Sequence, residues 1–250
     1  MKSKSIFILV SLLALVSLAC SVDFGGSTPT PVSNAATIPV VSEQPTSTAV
    51  PIQPTPTTVT APVSTGKILF QDDFSNVNSG WETGNYSGDT LSYLNGTYDI
   101  FAKSEGSILW GVANQNFTDL VIDVDATQLS GPSNNNTAYG VYCRRTGGDN
   151  SDAYAFFVSG DGYYAIIKIT NGSFTSLVDW TTSDVINQGD ASNHLTASCV
   201  GDHLTLSVNG TEVADTYDST YTSGDISLAA GSLETTGTEV QFDNLVVTEP

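Results

Sequence analysis

The chain has 250 residues, with 26 acidic and 7 basic side chains and a formal net charge of −19 at pH 7. Such a charge disfavours nucleic acid and anionic lipid surfaces as partners, because phosphate contacts require lysine or arginine. Residues 1–65 sum to zero, so the segment 66–250 carries the whole net charge. The sequence therefore predicts an acidic, well-solvated domain after a neutral N-terminal part.

The N-terminal part begins with a short apolar run that ends on a cysteine. Lys2 and Lys4 precede residues 6–19, which contain no charge. A membrane-spanning helix needs roughly 20 apolar residues, so this shorter run predicts a signal peptide at 1–19. The ending "VSLAC" resembles a bacterial lipobox, although Ser17 stands where that pattern usually has leucine. The resemblance implies lipidation of Cys20 and a protein anchored outside the cytoplasm, at the cell surface.

The segment 20–65 has the composition of a linker. It contains eight of the ten prolines and ten threonines but hardly an aromatic residue. Such a segment cannot bury enough apolar surface to offset its ordering entropy, so we expect a disordered, semi-extended stalk. Its threonines also suit O-glycosylation.

The segment 66–250 reads as β-strands joined by tight turns. Thirteen strand-like stretches run from "KILFQDDF" to "EVQFDNLVV", rich in β-branched and aromatic residues. Three Asn-Gly pairs (at 95–96, 171–172 and 209–210) favour two-residue hairpins, because both central positions of a type I′ turn need positive φ. The fold class predicted is all-β, a two-sheet antiparallel jelly-roll sandwich in one domain.

The order and spacing of several stretches resemble one superfamily. These stretches are "FQDDFSNVNSGW", "YGVYCRR", "SGDGYYAIIKI", "HLTASCVGDHLTLSVNGTEV" and "VQFDNLVVTEP". They are similar to the concanavalin A-like lectin/glucanase superfamily, in particular to jelly rolls of the family 16 glycoside hydrolase and keto-disaccharide hydrolase types. The resemblance covers about residues 68–249 and implies a carbohydrate ligand.

The cysteines fit an exported protein. Three is an odd number, but lipidation of Cys20 leaves Cys143 and Cys199 as a pair in an oxidising compartment. Both lie in alternating strands on an apolar face. We expect a disulfide between them; the alternative is two buried free thiols.

Catalytic motifs are absent from the sequence. Family 16 glycosidases use a Glu-x-Asp-x-x-Glu strand, and the seven glutamates of this chain form no such array. Asp123 and Asp125 alternate but lack a third carboxylate, and His194 and His203 have no zinc-ligand spacing. No catalytic residue is predicted, and whether the protein is an enzyme stays open.

A structural calcium ion is the one cofactor that the resemblance implies. Jelly rolls of this superfamily often hold calcium where the first and last strands meet. Asp72, Asp73 and Asp243 stand at matching places, and calcium prefers oxygen ligands. The alternative is carboxylates that face solvent or cap turns.

A ligand-binding groove is predicted around the rare basic residues. Gly140, Tyr142 and Arg144 share one face of a strand, and Cys143 marks the other face as core. Aromatic rings and a forked donor on a concave sheet suit a sugar. The predicted ligand-binding residues are Tyr142, Arg144, Tyr154, Phe156, Tyr164 and Lys168. The alternative is a second packed layer with a paired arginine, and the three tryptophans are expected to be packing anchors.

These observations predict a surface-anchored lipoprotein that presents a non-catalytic carbohydrate-binding or adhesion module. Its expected partners are an extracellular glycan and, through the lipid alone, the membrane. Two alternatives stay open. One is a glycosidase of the keto-disaccharide hydrolase type, and the other is a scaffold or sensor module that docks a protein.

Overall fold

The computed structural model describes residues 66–103, 105–148 and 151–250. The predicted signal peptide, Cys20 and the linker lie outside these residues. In the described part every regular element is a β-strand. No helix there could span a membrane. The strands are β1 (Ile68–Asp72), β2 (Gly84–Tyr86), β3 (Asp89–Leu94), β4 (Thr97–Ala102), β5 (Ser107–Val112), β6 (Leu120–Ser130), β7 (Thr137–Thr146), β8 (Asp152–Val158), β9 (Tyr163–Thr170), β10 (Ser173–Thr182), β11 (Ser192–Val200), β12 (His203–Val208), β13 (Thr211–Tyr217), β14 (Asp225–Ser232) and β15 (Thr238–Thr248).

The strands form two antiparallel sheets. One sheet has the order β13-β12-β11-β6-β15-β4-β3-β2, with β1 paired to the end of β15. The other has the order β10-β9-β8-β7-β14. Strand β5 runs beside β14, joined to it by backbone hydrogen bonds from Gly106 N to Ser232 O (2.8 Å) and from Ala113 N to Ile226 O (3.2 Å). The predicted two-sheet antiparallel sandwich is confirmed.

Strand alternation separates a central core from a second apolar cluster. On β7, Tyr139, Val141 and Cys143 belong to the core, which contains side chains of both sheets and so lies between them. Ala138 and Tyr142, at the alternate positions, belong to the second cluster. Because successive side chains of a strand point to opposite faces, this cluster lies on the outer face of the five-stranded sheet. That outer face carries the groove described below.

The three predicted Asn-Gly turns are confirmed. They connect β3 to β4, β9 to β10 and β12 to β13, and every residue in them has positive φ. The asparagine φ angles are 53°, 50° and 51°, in the left-handed region that asparagine and glycine tolerate best. Strand β2 was not predicted, since its three polar residues at a sheet edge show no apolar alternation.

A disulfide joins the two sheets. Cys143 of β7 is bonded to Cys199 of β11, with 6.8 Å between their Cα atoms, and both residues are buried in the central core. The predicted pairing is confirmed.

Candidate functional site

The outer face of the five-stranded sheet has a floor of small side chains. Five alanines lie in the outer cluster, and their methyl groups leave space that larger side chains would fill. They are Ala138, Ala153, Ala155, Ala165 and Ala229. Above part of this floor is a cavity of about 480 Å³, which we call the central cavity. Ile108 and Trp110 of β5 wall it on one side, and Phe174 and Trp180 of β10 wall it on the other.

A row of aromatic rings crosses this face. Trp180 stacks on Phe157 with a centroid distance of 6.3 Å and an interplanar angle of 15°. Phe157 meets Tyr142 edge to face at 5.7 Å, and Tyr142 lies 6.4 Å from Trp110. Phe157 and Tyr142 are buried, whereas Trp180 is 38% exposed and Trp110 is half-buried. Buried rings therefore support the two tryptophans at the cavity walls.

A larger cavity of about 820 Å³ lies beyond Trp110, and we call it the Arg145 cavity. It shares Ile108 and Trp110 with the central cavity. The guanidinium carbon of Arg145 is 5.6 Å from the centroid of the Trp110 ring. The Nη2 atom of Arg145 donates a hydrogen bond to Gly148 O at 3.0 Å. An arginine above an indole is a cation–π contact that orients both groups.

Two carboxylates line the Arg145 cavity. Glu82 accepts a hydrogen bond from the Tyr86 hydroxyl at 2.7 Å. Asp225 accepts backbone N–H groups at both oxygens, from Asn114 (3.0 Å), Gln115 (3.0 Å) and Ile226 (2.8 Å). Burial raises the pKa of Asp225 above the ordinary aspartate value. Because three backbone donors use its oxygens, Asp225 anchors the chain that follows β5.

A smaller cavity of about 180 Å³, which we call the Asp161 pocket, adjoins the other end of the central cavity. The two cavities share Trp180 and Leu233. Tyr163 and Trp180 wall the pocket, each 38% exposed. Asp161 also lines the pocket, and its Oδ1 atom is buried with no hydrogen-bond partner among the described residues. The Asp161 pocket, the central cavity and the Arg145 cavity together form what we call the outer-face groove.

The predicted outward position of Arg144 is wrong. Arg144 has a φ of 53°, and the pairing of β7 with β8 shifts register between Cys143 and Thr146. This β-bulge breaks the alternation, so the Arg144 side chain turns inward and is 1% exposed, while Arg145 faces the groove. The Arg144 guanidinium donates to Asp119 Oδ1 at 3.0 Å and to the carbonyl oxygens of Thr118, Cys199, Gly201 and Tyr221.

Tyr142 faces outward as predicted, but it is not an accessible platform. The side chain is 1% exposed because it packs between Phe157 and Trp110. Burial raises the pKa of its hydroxyl. The hydroxyl has no hydrogen-bond partner in the described part of the chain. Tyr142 therefore supports the groove from below.

The other four predicted ligand-binding residues lie on the core face. Tyr154 pairs directly with both Cys143 and Lys168 across the sheet, and directly paired residues share a face. Tyr154, like Phe156, is buried in the central core, and Tyr164 packs against it. Lys168 Nζ lies 2.6 Å from Asp218 Oδ2. The prediction that these side chains line a groove with Tyr142 is wrong, because it ignored the strand register.

The three carboxylates predicted to bind calcium have other partners. Asp72 accepts from Phe74 N at 2.8 Å and from Trp81 Nε1 at 3.0 Å. Asp73 accepts hydrogen bonds from the amide and the hydroxyl of Ser75, and Asp243 accepts one from the amide of Asn244. No group of three or more His, Cys, Asp or Glu side chains in the described residues is arranged to hold a metal. These hydrogen bonds are those of carboxylates that cap turns, and the calcium ion stays a prediction.

Several groove residues were missed by the sequence analysis. Trp81 is a buried anchor as expected, but Trp110 and Trp180 line the groove. Arg145 and Asp161 were missed because a bulge and a turn place them. One signal was present in the sequence: alanines at alternate positions of "DAYAFFV" give β8 a face of small side chains. A sheet face of this kind leaves room for a covering layer or a ligand.

Comparison with solved structures identifies the fold. A carbohydrate-binding module, CBM66, from Bacillus subtilis aligns with a TM-score of 0.55 and 18% identity, covering 68% of this chain and 96% of that one. A β-glucanase from Bacillus licheniformis aligns with a TM-score of 0.54 and 15% identity, covering 75% and 100% of the two chains. A Bacillus subtilis protein of unknown function with a galectin-like fold aligns with a TM-score of 0.56 and 12% identity, covering 74% and 96%.

No protein-family model matches the sequence, and no curated protein matches it. The structural similarity, at these low identities, establishes the fold. The described domain has an antiparallel jelly-roll fold that it shares with these solved structures.

Proposed function

We propose that the domain is a carbohydrate-binding module and that the outer-face groove is its binding site. The observation that carries this proposal is Trp180, whose ring stacks on buried Phe157 and is 38% exposed in the groove. A ring held flat from below can contact the apolar CH face of a sugar without losing side-chain freedom. Trp110 offers a second ring on the far side of the central cavity.

The similar structures support carbohydrate as the ligand class. One is a carbohydrate-binding module and another a β-glucanase, by their own names. Because this chain shares their fold, carbohydrate is favoured over other ligand classes. The proposal itself depends on the residues of the groove.

Binding without hydrolysis is the function that the groove favours. The outer positions of β7, β8 and β9 that lie in the apolar cluster carry alanine, isoleucine and aromatic side chains. Glycosidases of the usual kind place two carboxyl groups on either side of the scissile bond. In the groove, both oxygens of Asp225 already accept backbone N–H groups.

A glycosidase is the second candidate, because Glu82 and Asp225 line the same cavity. If this cavity hydrolyses a sugar, Glu82→Gln should abolish release of reducing ends from a bound glycan and leave binding in place. Binding with no hydrolysis by the unmodified chain would leave the module as the function.

We further propose that the module is displayed outside the cell on a lipid anchor. The apolar run 6–19, the sequence "VSLAC" and the Pro/Thr-rich segment 20–65 support this location. A stalk of this length reaches on the order of 100 Å when extended. It would let the module meet glycans at a distance from the membrane.

A glycan array tests the proposed function. The full chain is used, in a detergent without a sugar headgroup, with Trp180→Ala as the test variant and Tyr217→Ala as the control. Tyr217 is 64% exposed and lies on β13 of the other sheet. We expect Trp180→Ala to weaken glycan binding by about tenfold or more and Tyr217→Ala to leave it unchanged. A folded chain that binds no glycan would contradict the proposal and favour protein docking.

A further inference from the structure

The walls of the central cavity are apolar and accessible. On β10, Phe174 pairs directly with Ile169, which belongs to the outer cluster, so the Phe174 ring lies on the outer face. Phe174 is 53% exposed, and Trp180 on the same wall is 38% exposed. On the opposite wall, Ile108 and Trp110 pack against the outer cluster and are half-buried. A ligand can therefore reach apolar side chains on both sides of the cavity.

Hydrogen-bonding groups are scarce in this cavity. Among the described residues that line it, none is charged, and apart from the two indole N–H groups only Ser107 and Ser176 have polar side chains. Ser176 pairs directly with Ile167 of the outer cluster, so its hydroxyl group lies on the outer face. The residue is exposed there. Ser176 can therefore donate a hydrogen bond to a ligand in the cavity.

The neighbouring Arg145 cavity is polar. Its lining includes two carboxylates, one guanidinium group and three amide side chains: Glu82, Asp225, Arg145, Asn114, Gln115 and Asn116. The two cavities meet at Ile108 and Trp110. A polar and an apolar lining therefore follow one another along the outer-face groove.

This division restricts the glycan that the groove can hold. An aromatic ring covers the CH face of a sugar, but the hydroxyl groups at the edge of the sugar still need hydrogen-bond partners. In the central cavity most of the neighbouring side chains are apolar, and burying a hydroxyl group among them without a partner is unfavourable. A sugar with an apolar substituent at that position avoids this cost. The substituent also removes exposed apolar surface of the walls from water.

We propose that the outer-face groove binds a glycan whose sugar carries an acyl group, and that the acyl group occupies the central cavity. The sugar ring lies against Trp180, the apolar end of the acyl group contacts Phe174 and Ile108, and its carbonyl oxygen accepts a hydrogen bond from Ser176. An acyl group suits this lining because it joins one hydrogen-bond acceptor to an apolar chain. This inference rests on the proposed carbohydrate-binding function and adds the ligand class, sugars with N-linked or O-linked acyl groups.

The test compares matched tetrasaccharides with and without acyl groups by titration calorimetry of the full chain, in a detergent without a sugar headgroup. The pairs are cellotetraose with tetra-N-acetylchitotetraose, xylotetraose with its O-acetylated form, and mannotetraose with its O-acetylated form. In at least one pair the acylated member should bind about tenfold more tightly or better, since burial of a methyl group and one hydrogen bond together supply about this factor. Equal or weaker binding of the acylated member in every pair would overturn the inference.

Two variants locate the effect. Phe174→Ala should weaken binding of the acylated probe by about fivefold or more, because the acyl group loses its apolar contact. Any binding of the unsubstituted probe should stay within about twofold. Ser176→Ala should weaken binding of the acylated probe by about threefold or more, the effect of one lost hydrogen bond.

Tyr217→Ala is the matched control for Phe174→Ala, since Tyr217 is an exposed aromatic residue on β13 of the other sheet. It should bind both members of each pair as the unmodified chain does. A Phe174→Ala variant that keeps the full preference for the acylated probe would contradict the inference. A thermal melt checks that each variant is folded.

The outcomes separate this inference from the proposed function. If Trp180→Ala weakens binding of both members of a pair and the members bind equally to the unmodified chain, the acyl inference is wrong and the module stands. If neither these probes nor the glycan array shows binding to the folded chain, the proposed function is contradicted together with it.

Discussion

Arg144 and Arg145 are adjacent in sequence but lie in opposite environments at the end of β7. Arg144 is 1% exposed and uses its donors on Asp119 and four backbone carbonyl groups. Arg145 lies over Trp110 at the groove. Arg144 thus holds the loops at the end of the sandwich, and Arg145 belongs to the candidate site.

We expect Arg144→Met to lower the free energy of unfolding by about 3 kcal/mol or more, since several buried carbonyl groups would lose their donors. Arg145→Gln should change it less, by about 1–2 kcal/mol, the size of a cation–π contact at a half-buried arginine. Urea denaturation of both variants measures the difference. Equal losses of stability would contradict this assignment.

His194 lies on the outer face of the nine-stranded sheet, between two aspartates. Its ring nitrogens lie 3.5 Å from Asp123 Oδ1 and 2.7 Å from Asp125 Oδ1, and its side chain is 22% exposed. Hydrogen bonds to Asp123 and Asp125 raise the pKa of His194 to about 9. The folded protein therefore binds this proton more tightly than the unfolded chain does.

A raised pKa stabilises the folded state fully below the unfolded value of about 6.5, and the gain is lost as pH rises through about 9. We expect the free energy of unfolding to fall by on the order of 3 kcal/mol between these values. Chemical denaturation across this pH range measures it. His194→Gln should show a flatter profile, and a profile that His194→Gln leaves unchanged would count against the imidazolium.

At the scale of elements, two strands with bulges decide what faces the groove. The bulge in β7 turns Arg144 inward and Arg145 outward. Strand β10 shifts register twice against β9, and its adjacent residues Leu177 and Val178 both pack against the core. Trp180, two residues later, lies in the groove on the opposite face. Bulges commonly redirect side chains near binding sites.

The disulfide is the covalent link between elements, since it joins β7 of one sheet to β11 of the other. With a sequence separation of 56 residues, it should contribute about 4 kcal/mol by restricting the unfolded chain. The double variant Cys143→Ser/Cys199→Ser should lose this stability, as measured by denaturation of the full chain. No change in the denaturation midpoint would contradict the estimate. The double variant avoids an unpaired thiol that could form intermolecular bridges.

At the scale of the whole molecule, the proposed anchor depends on Cys20. If the N-terminal signal is a lipobox, the mature chain should fractionate with membranes and carry a diacylglyceryl group on Cys20. Cys20→Ser should then abolish the modification and move the protein out of the membrane fraction. Cell fractionation with mass spectrometry of the N-terminal peptide is the measurement. An unmodified wild-type protein in the soluble fraction would contradict the proposed anchor.

The sandwich, its hairpins and the cysteine pair could be predicted from the sequence. Alternation, β-branched residues and Asn-Gly turns are local signals, so fourteen of the fifteen strands in the described residues, all except β2, fall in the predicted stretches. Cys143 and Cys199 were paired by counting and by their apolar faces. Strands and hairpins depend on neighbours along the chain, which the sequence shows directly. The cysteine pair joins distant strands and was predictable because residues 66–250 contain only two cysteines.

Which side chains reach the groove could not be predicted from the sequence. The sequence assigned Arg144 outward by simple alternation, but the bulge at this residue reverses the direction. It grouped Tyr154 and Lys168 with Tyr142, although the register places them on the core face with Cys143. Bulges and registers depend on partner strands that are distant in sequence, so a pattern within one strand cannot fix them.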